Sequence, residues 1–355
     1  MDSVDVGVIG AGIISNVTLN GYFTHPKTQV IALCDIDEER ARLKAKKWGI
    51  KKTYGNYEKM LNDEKINTVH ILLPHALHSE VAISAANAGK NVIVQKPIAM
   101  SLSEADSMIG AAKKNNVMLC VADNYPWYPP LHKAGTLIQE GEIGEPISVR
   151  IKTVAGRGTP EEYVEPQIPE DWRQHKEKNG GYVYDDIVHY WNVARFLMRC
   201  EILEVAALLE NLDKPDERPG VVIWKHDAPN RYGSLTYGSA KNHAHIYIKS
   251  DYYSTNEEFE VIGSDGILRV PRLSAQLLNE PPLTLYKNGN MQSWETLDTD
   301  YGSSFRDNIH NIVNDLLAGR EPALSGADGK KQIQFAWATY KAATERRTVR
   351  MDEVK

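Results

Sequence analysis

Val4 to Ile9 is a short, β-branched, apolar run that meets Gly10-Ala11-Gly12-Ile13-Ile14-Ser15 at once and then takes on helical character. A glycine pair wedged between a buried strand and a helix leaves few folds open. The first glycine serves a tight turn, and the second lets the backbone approach a pyrophosphate at the helix N-terminus. Ser15 stands where a third glycine is usual and is small enough for close helix–strand packing. A second apolar run, Gln29 to Cys34, ends in Asp35, at about the 20-residue separation expected of an acid that binds an adenosine ribose. A carboxylate there accepts from both ribose hydroxyls and repels a 2′-phosphate, so NAD is favoured over NADP. Gly10, Gly12, Ile13, Ile14 and Asp35 are therefore expected cofactor contacts. Arg40 and Arg42 sit among Asp37, Glu38 and Glu39 and read as a solvated helix face.

Further strand-like runs follow at Thr68 to Leu73, Asn91 to Gln95 and Met118 to Ala122, separated by the helical stretches HSEVAISAANAG and SLSEADSMIGAAKKNN. Such alternation predicts an α/β domain, a doubly wound parallel sheet of Rossmann type with helices on both faces. After Asp123 the segment NYPWYPP concentrates aromatic and proline residues, which places a domain boundary there. A chain of 355 residues exceeds what one core usually serves. The expected division is a dinucleotide-binding domain over 1–123 and a substrate-binding and oligomerisation domain over 124–355, with a cleft near the junction. In the second domain, alternating runs such as EPISVRIKTVAG, NRYGSLTYGSA, HAHIYIKS and EEFEVIGSDGILRV predict a large, mostly antiparallel sheet. Helices near SFRDNIHNIVNDLLAG and from Asp328 to about Arg346 complete an α+β domain, the last helix being free to pack back on the first domain.

Lys plus Arg total 41 against 47 Asp plus Glu, a net charge of −6 with no basic block, which argues against nucleic-acid binding. The first residues carry acids and no cationic leader, and no run is long enough to span a bilayer. Cys34, Cys120 and Cys200 lack metal-ligand spacing and suit a reducing compartment, so a cytoplasmic location is expected. His243 and His245 alternate onto one strand face without a third ligand, and no metal is expected.

Three further segments point to a family. LLPHALHSEVAISAANAGKNVIVQKPIAM, DWRQHKEKNGGYVYDDIVHYWNVARFLM and the tail AGREPALSGADGKKQIQFAWATYKAATERRTVRM resemble segments of the Gfo/Idh/MocA oxidoreductases, the glucose-fructose oxidoreductase and inositol dehydrogenase family. Gln95-Lys96-Pro97 matches that family's E-K-P motif, with Gln in place of the usual Glu; Gly180, Gly181, Asp185 and His189 match its G-G-x-x-x-D-x-x-x-H element. The resemblance implies that His189 accepts the substrate proton, that Lys96 polarises the reacting oxygen, and that Asp185 holds the substrate or the imidazole. Those residue types suit the removal of a hydride from a carbinol, which needs a base for the hydroxyl proton and a cation beside the oxygen. Lys96 leaves a buried-type strand at its carboxyl end, where ligands of open α/β sheets bind. Asp185 and His189 share one face if helical, and Asp186, three residues from His189, could pair almost as well.

Pro74, His75, His78, Gln95 and Lys96 are further expected cofactor neighbours, His75 and His78 near the nicotinamide ribose; the family often has Asn where His75 stands. Asn124, Tyr125, Trp127, Trp172, Tyr301 and His310 join Lys96, Asp185 and His189 as substrate-pocket candidates, aromatic rings being suited to sugar faces. Tyr128, Arg173 and Arg306 are reachable on the same argument. The implied activity is NAD-dependent oxidation of a secondary hydroxyl of a sugar, cyclitol or sugar derivative. The alternatives are ring-hydroxyl oxidation as the first step of glycoside cleavage with internal NAD recycling, and a non-enzymatic NAD-binding regulator. The large sheet has too few predicted helices to cover its outer face, which implies a homodimer or homotetramer packed through it.

Overall fold

A computed structural model of the chain describes residues 1–158, 175–176, 180–214, 216–240, 247–250 and 252–355, and the elements and counts below are those found among these described residues. Trp172, Arg173, His243 and His245 lie outside the described residues. The chain divides into two compact units, Met1–Asn124 with Phe305–Ile333, and Tyr125–Ser304 with Gln334–Lys355.

The first unit alternates β1 (Val4–Ile9), α1 (Ile14–Thr24), β2 (Thr28–Cys34), α2 (Glu38–Trp48), β3 (Lys52–Tyr54), α3 (Tyr57–Leu61), β4 (Thr68–Ile71), α4 (His78–Asn87), β5 (Asn91–Gln95), α5 (Leu102–Lys114) and β6 (Leu119–Ala122). All strand pairs are parallel, in the order β3-β2-β1-β4-β5-β6. The strand order reverses between β1 and β4, so their carboxyl ends open the crevice where such sheets bind ligands. Every residue of β4 and β6 is buried; β6 reads as a continuously apolar run, whereas β4 carries the polar Thr68 and His70 inside. The three-residue edge strand β3 carries two exposed residues in Lys-Thr-Tyr and leaves no apolar run by which a sequence reading could find it. Asp37 caps α2 by accepting from the Arg40 N–H, and Gly49 ends that helix at φ 68°.

The second unit begins with α6 (Pro129–Gln139), β7 (Pro146–Ala155), β8 (Arg157–Gly158) and α7 (Tyr182–Met198). Then come β9 (Ile202–Leu209), β10 (Gly220–His226), β11 (Tyr232–Ser239), β12 (Tyr247–Ser250), β13 (Thr255–Gly263) and β14 (Gly266–Val270). After β15 (Ala275–Gln276), β16 (Thr284–Lys287) and β17 (Asn290–Ser293), the chain forms α8 (Tyr301–Ala318), α9 (Gly326–Glu345) and β18 (Val349–Arg350). Nine strands form one sheet in the order β17-β16-β14-β13-β7-β11-β10-β9-β18, antiparallel throughout except where β11 runs parallel to β7. The proline-rich texture after Asp123, read from sequence as a junction, starts a helix: Pro129 and Pro130 open α6, where a missing N–H costs nothing. On β9 and β10, Leu208 faces Val221 and Ala206 faces Ile223 in register. Leu208 is 73% exposed and Ile223 53%, so this stretch of the sheet shows apolar side chains to the outside. No helix among the described residues is long and apolar enough to cross a membrane.

Candidate active site

In the first unit the residues singled out for the cofactor gather at the carboxyl edge of the parallel sheet. Gly10 follows β1 at φ 108°, and a Cβ there would run into the carbonyl group of Leu72 just beyond β4, so only glycine fits the turn. Asp35, directly after β2, accepts from the Ala11 N–H at 2.8 Å through one carboxylate oxygen and from the Asp37 N–H at 2.9 Å through the other. The acid is thus tied to the glycine turn before any ligand arrives. Ile13 is the N-cap of α1 and makes no side-chain capping hydrogen bond. Ser15 is fully buried and donates to the Gly12 carbonyl at 2.7 Å. Arg40 pairs with Asp37 at 3.1 Å and lies 4.0 Å from Asp35, while Arg42 pairs with Glu39.

Sequence reasoning missed Lys44, whose ammonium donates to both the Gly12 carbonyl and the Ser15 hydroxyl at 2.8 Å. The signal was present in the helical phase: Lys44 lies between the buried Ala41 and Ala45 on the inward face of α2.

Beyond β4, Pro74 precedes a short 3-10 turn over His75–Leu77, and His75 is buried. His78, expected near the nicotinamide ribose, has Nδ1 2.8 Å from the Pro97 carbonyl oxygen and Nε2 2.9 Å from that of Leu73. Its ring braces the β4 exit against the Lys96-Pro97 turn instead of offering a nitrogen to a ligand. Burial, opposed by those carbonyls, holds its pKa below the ordinary histidine value. Gln95 turns its amide oxygen onto the Lys96 N–H at 2.8 Å, so the residue in place of the family's Glu fixes the backbone of the lysine. Gln95 and Asn124 line one small space with Thr18, His70, Asn308 and the apolar Ala122, Phe305 and Ile309. Asn124 therefore belongs to this unit, buried. His310, expected in the substrate pocket, lies elsewhere: its Nε2 is 3.0 Å from the Thr24 hydroxyl at the last residue of α1, the end opposite the glycine turn. Arg306 pairs with the neighbouring Asp307 at 2.7 Å.

In the second unit the expected acid and base stand on α7, with Asp185 in its first turn and His189 one turn later and buried. Gly180 and Gly181 precede the helix at φ 82° and 94°, and a Cβ on Gly181 would collide with the Glu217 carboxylate. Glu217, fully buried, accepts from the Val183 N–H at 3.1 Å, from Lys176 at 2.6 Å and from the Tyr340 hydroxyl at 2.8 Å. It caps the start of α7 from a distant stretch of chain, which is why sequence spacing did not reveal it.

Tyr125 lies flat on His189, ring centroids 3.8 Å apart and planes 8° from parallel, so one face expected for a sugar is occupied by the imidazole. Tyr301 meets Tyr125 edge-on at 6.3 Å and also abuts Tyr252 and Tyr253. Trp127 stands apart from this group, stacked on His132 at 5.0 Å. Tyr128 is a fully buried packing residue.

Residues 4–123 match the model of an oxidoreductase family with an NAD-binding Rossmann fold, and residues 136–351 match the same family's C-terminal alpha/beta domain. The chain belongs to the Gfo/Idh/MocA oxidoreductase family. Gly10, which no other residue could replace, and Asp35, preset on the turn, fit the NAD that this family's Rossmann domain binds. This Gfo/Idh/MocA protein is an NAD-dependent oxidoreductase acting on CH–OH groups. It is 26% identical over 358 residues to a myo-inositol 2-dehydrogenase of Thermotoga maritima, covering 98% of this chain and 99% of the relative. It is 30% identical over 334 residues to a trans-1,2-dihydrobenzene-1,2-diol dehydrogenase of Xenopus laevis, covering 91% and 93%. The crystal structure of a probable dehydrogenase from Thermotoga maritima superimposes with a TM-score of 0.78 at 25% identity, over 99% of this chain and all of the other.

Proposed function

We propose that the protein oxidises a secondary hydroxyl of a sugar, cyclitol or related polyol, with His189 as acid/base, Lys96 polarising the reacting oxygen and Asp185 orienting the substrate or the imidazole. The observation that carries this reading is the setting of His189, a buried imidazole one helical turn from a carboxylate, with Tyr125 and Tyr301 close by. Relatives named for myo-inositol and D-apiose, each matched over 98% of this chain, favour a polyhydroxylated substrate. Gly10, Gly12, Ile13 and Ile14 would hold the pyrophosphate and Asp35 the adenosine ribose, with Pro74 and His75 toward the nicotinamide. NAD, when bound, accepts the hydride. His189 takes the hydroxyl proton, and the Lys96 ammonium offsets charge left on the oxygen in the transition state. The same reading holds the protein to be cytoplasmic and to form a homodimer or homotetramer, the assembly being supported by the exposed Leu208, Val221 and Ile223 on the large sheet.

The test is NADH formation over inositols, free sugars and glycosides, with His189→Ala and Lys96→Ala beside the wild type. We expect turnover with one polyol class and a loss of about 10²- to 10⁴-fold in each variant. NAD binding by calorimetry without turnover on any of them would overturn the reading in favour of an NAD-sensing regulator. Cleaved glycoside without net NADH would move it to the internally recycled reaction.

A further inference from the structure

The second unit holds a buried carboxylate for which the proposed reaction has no use. Glu257, on β13, lies in the interior and accepts from the Tyr125 hydroxyl at 3.1 Å through one oxygen. Its other oxygen accepts from the Ser274 hydroxyl at 2.7 Å and lies 3.4 Å from the Ser274 N–H. Carboxylates are rarely carried inside a fold without a partner that repays their desolvation, and in this case the hydrogen-bond donors are two hydroxyls and one peptide N–H. Tyr125, in turn, is the ring that lies face to face with His189 at 3.8 Å. A carboxylate, a phenol and an imidazole are thus coupled in series, although 132 residues separate Glu257 from Tyr125.

We propose that Tyr125 and Glu257 are positioning residues for His189: Tyr125 holds the imidazole by its ring face, and Glu257 holds Tyr125 and supplies the charge that favours the imidazolium. This rests on the reading of His189 as the acid/base. When His189 takes the substrate proton, a cation forms against the π-face of Tyr125, and such a face attracts cations. A phenol that donates to a carboxylate carries more electron density in its ring, so ionised Glu257 strengthens that attraction through the Tyr125 hydroxyl. The proton passes from substrate oxygen to imidazole nitrogen, and neither Tyr125 nor Glu257 gains or loses one.

Other charged and titratable groups around the pair are few among the described residues. Asp185 and Asp186 lie on α7 with His189; Tyr182 and Tyr190 share that helix, Tyr301 meets Tyr125 edge-on, Ser274 faces Glu257, and Tyr128 interacts with both Glu257 and the Arg272 guanidinium. Burial pushes the Glu257 carboxyl up to about 7, against the lowering effect of the Ser274 and Tyr125 hydrogen bonds and with a raising contribution from Asp186.

The test is the titration of the His189 ring, followed by NMR on histidine-labelled protein and assigned with His189→Gln. The variants are Tyr125→Phe, which keeps the ring and severs the link, Glu257→Gln, which keeps the acceptor and removes the charge, and the double variant. We expect each single change to move the midpoint to lower pH by roughly 0.5 to 1. The double variant should move it no further than either alone, since both break one series. The acid limb of the kcat/KM profile should move with it. Unmoved midpoints in both single variants would overturn the proposal, and so would fully additive shifts, because Glu257 would then act on His189 directly. A Glu257→Asp variant, which keeps the charge, should restore part of the midpoint and of the profile relative to Glu257→Gln, and no restoration at all would overturn the charge role. The titration needs no turnover, so it stands or falls separately from the loss of activity in His189→Ala.

Discussion

In the first unit Asp35 is held by two peptide N–H groups, and the lysine of the Gln95-Lys96-Pro97 turn by the amide of its own neighbour. In the second unit His189 is held by the ring of Tyr125, which is held by Glu257, and the start of α7 by Glu217 and Tyr340. Short-range hydrogen bonds to peptide N–H groups hold the residues proposed for the cofactor, and side chains far apart in sequence hold the proposed base. Peptide groups are the same whatever the residue, so a cofactor site built on them needs glycine and one acid at fixed spacing and tolerates change elsewhere. A site built on side chains changes its electrostatics whenever one remote residue is replaced, which suits a part of the molecule where the substrate differs between relatives.

The difference can be broken from either side. The largest effect is expected at Glu257, whose carboxyl is raised from 4.5 to about 7 by burial, with smaller opposing contributions from its hydrogen-bond donors. The folded state then binds a proton that the unfolded state has already released, so stability falls as pH rises from 4.5 to about 7 and is constant above. The loss amounts to roughly 3 kcal/mol at most. Thermal unfolding across that range should show a decline in the wild type that Glu257→Gln flattens; a parallel decline in both would place the titration elsewhere. Next comes Asp35→Ala, which removes a charged acceptor from the Ala11 N–H and from the ribose it is proposed to bind. Calorimetry should find NAD bound about ten- to a hundredfold more weakly, corresponding to roughly 1.5–3 kcal/mol, with the preference over NADP reduced and the unfolding profile of the second unit unchanged. The smallest effect on stability is expected from Ile223→Glu on the exposed sheet face, within about 0.5 kcal/mol. Light scattering should nevertheless report a smaller assembly, and an unchanged mass would remove that face from the proposed oligomer interface.

What was legible in the sequence follows the same division. β1, β4, β5, β6 and most of β2 fall within the strand-like runs of the sequence because their strands are largely buried, and Gly10, Asp35 and Lys96 were visible because they follow such runs directly. Asp185 and His189 were visible as a pair on one helix, through their spacing and the resemblance. Glu257 was not: in Thr-Asn-Glu-Glu-Phe-Glu it looks like one of three solvated strand acids, and only the fold turns it inward while Glu258 and Glu260 pair with Lys152 and Arg150 outside. His310 shows the reverse error. Its helix was read correctly, but the ring meets Thr24 at the wrong end of α1, a matter of helix position that no local pattern encodes.

The first unit also has a history written into its core. Ile309, Ile312, Val313 and Leu316 of α8 pack among Val4, Val6, Val8 and Leu19, and burying each such side chain contributes roughly 1.5–3 kcal/mol. A ribosome that has just finished Asn124 has made every strand of the parallel sheet but not the helix that completes its core, which ends only at Ala318. At about 5–20 residues per second, synthesis of the intervening chain takes roughly 10 to 40 s. Through that interval the unit that emerges first must wait, apolar side exposed, for the second to be translated. Stalled nascent chains should accordingly keep the first unit open to protease until α8 has cleared the exit tunnel.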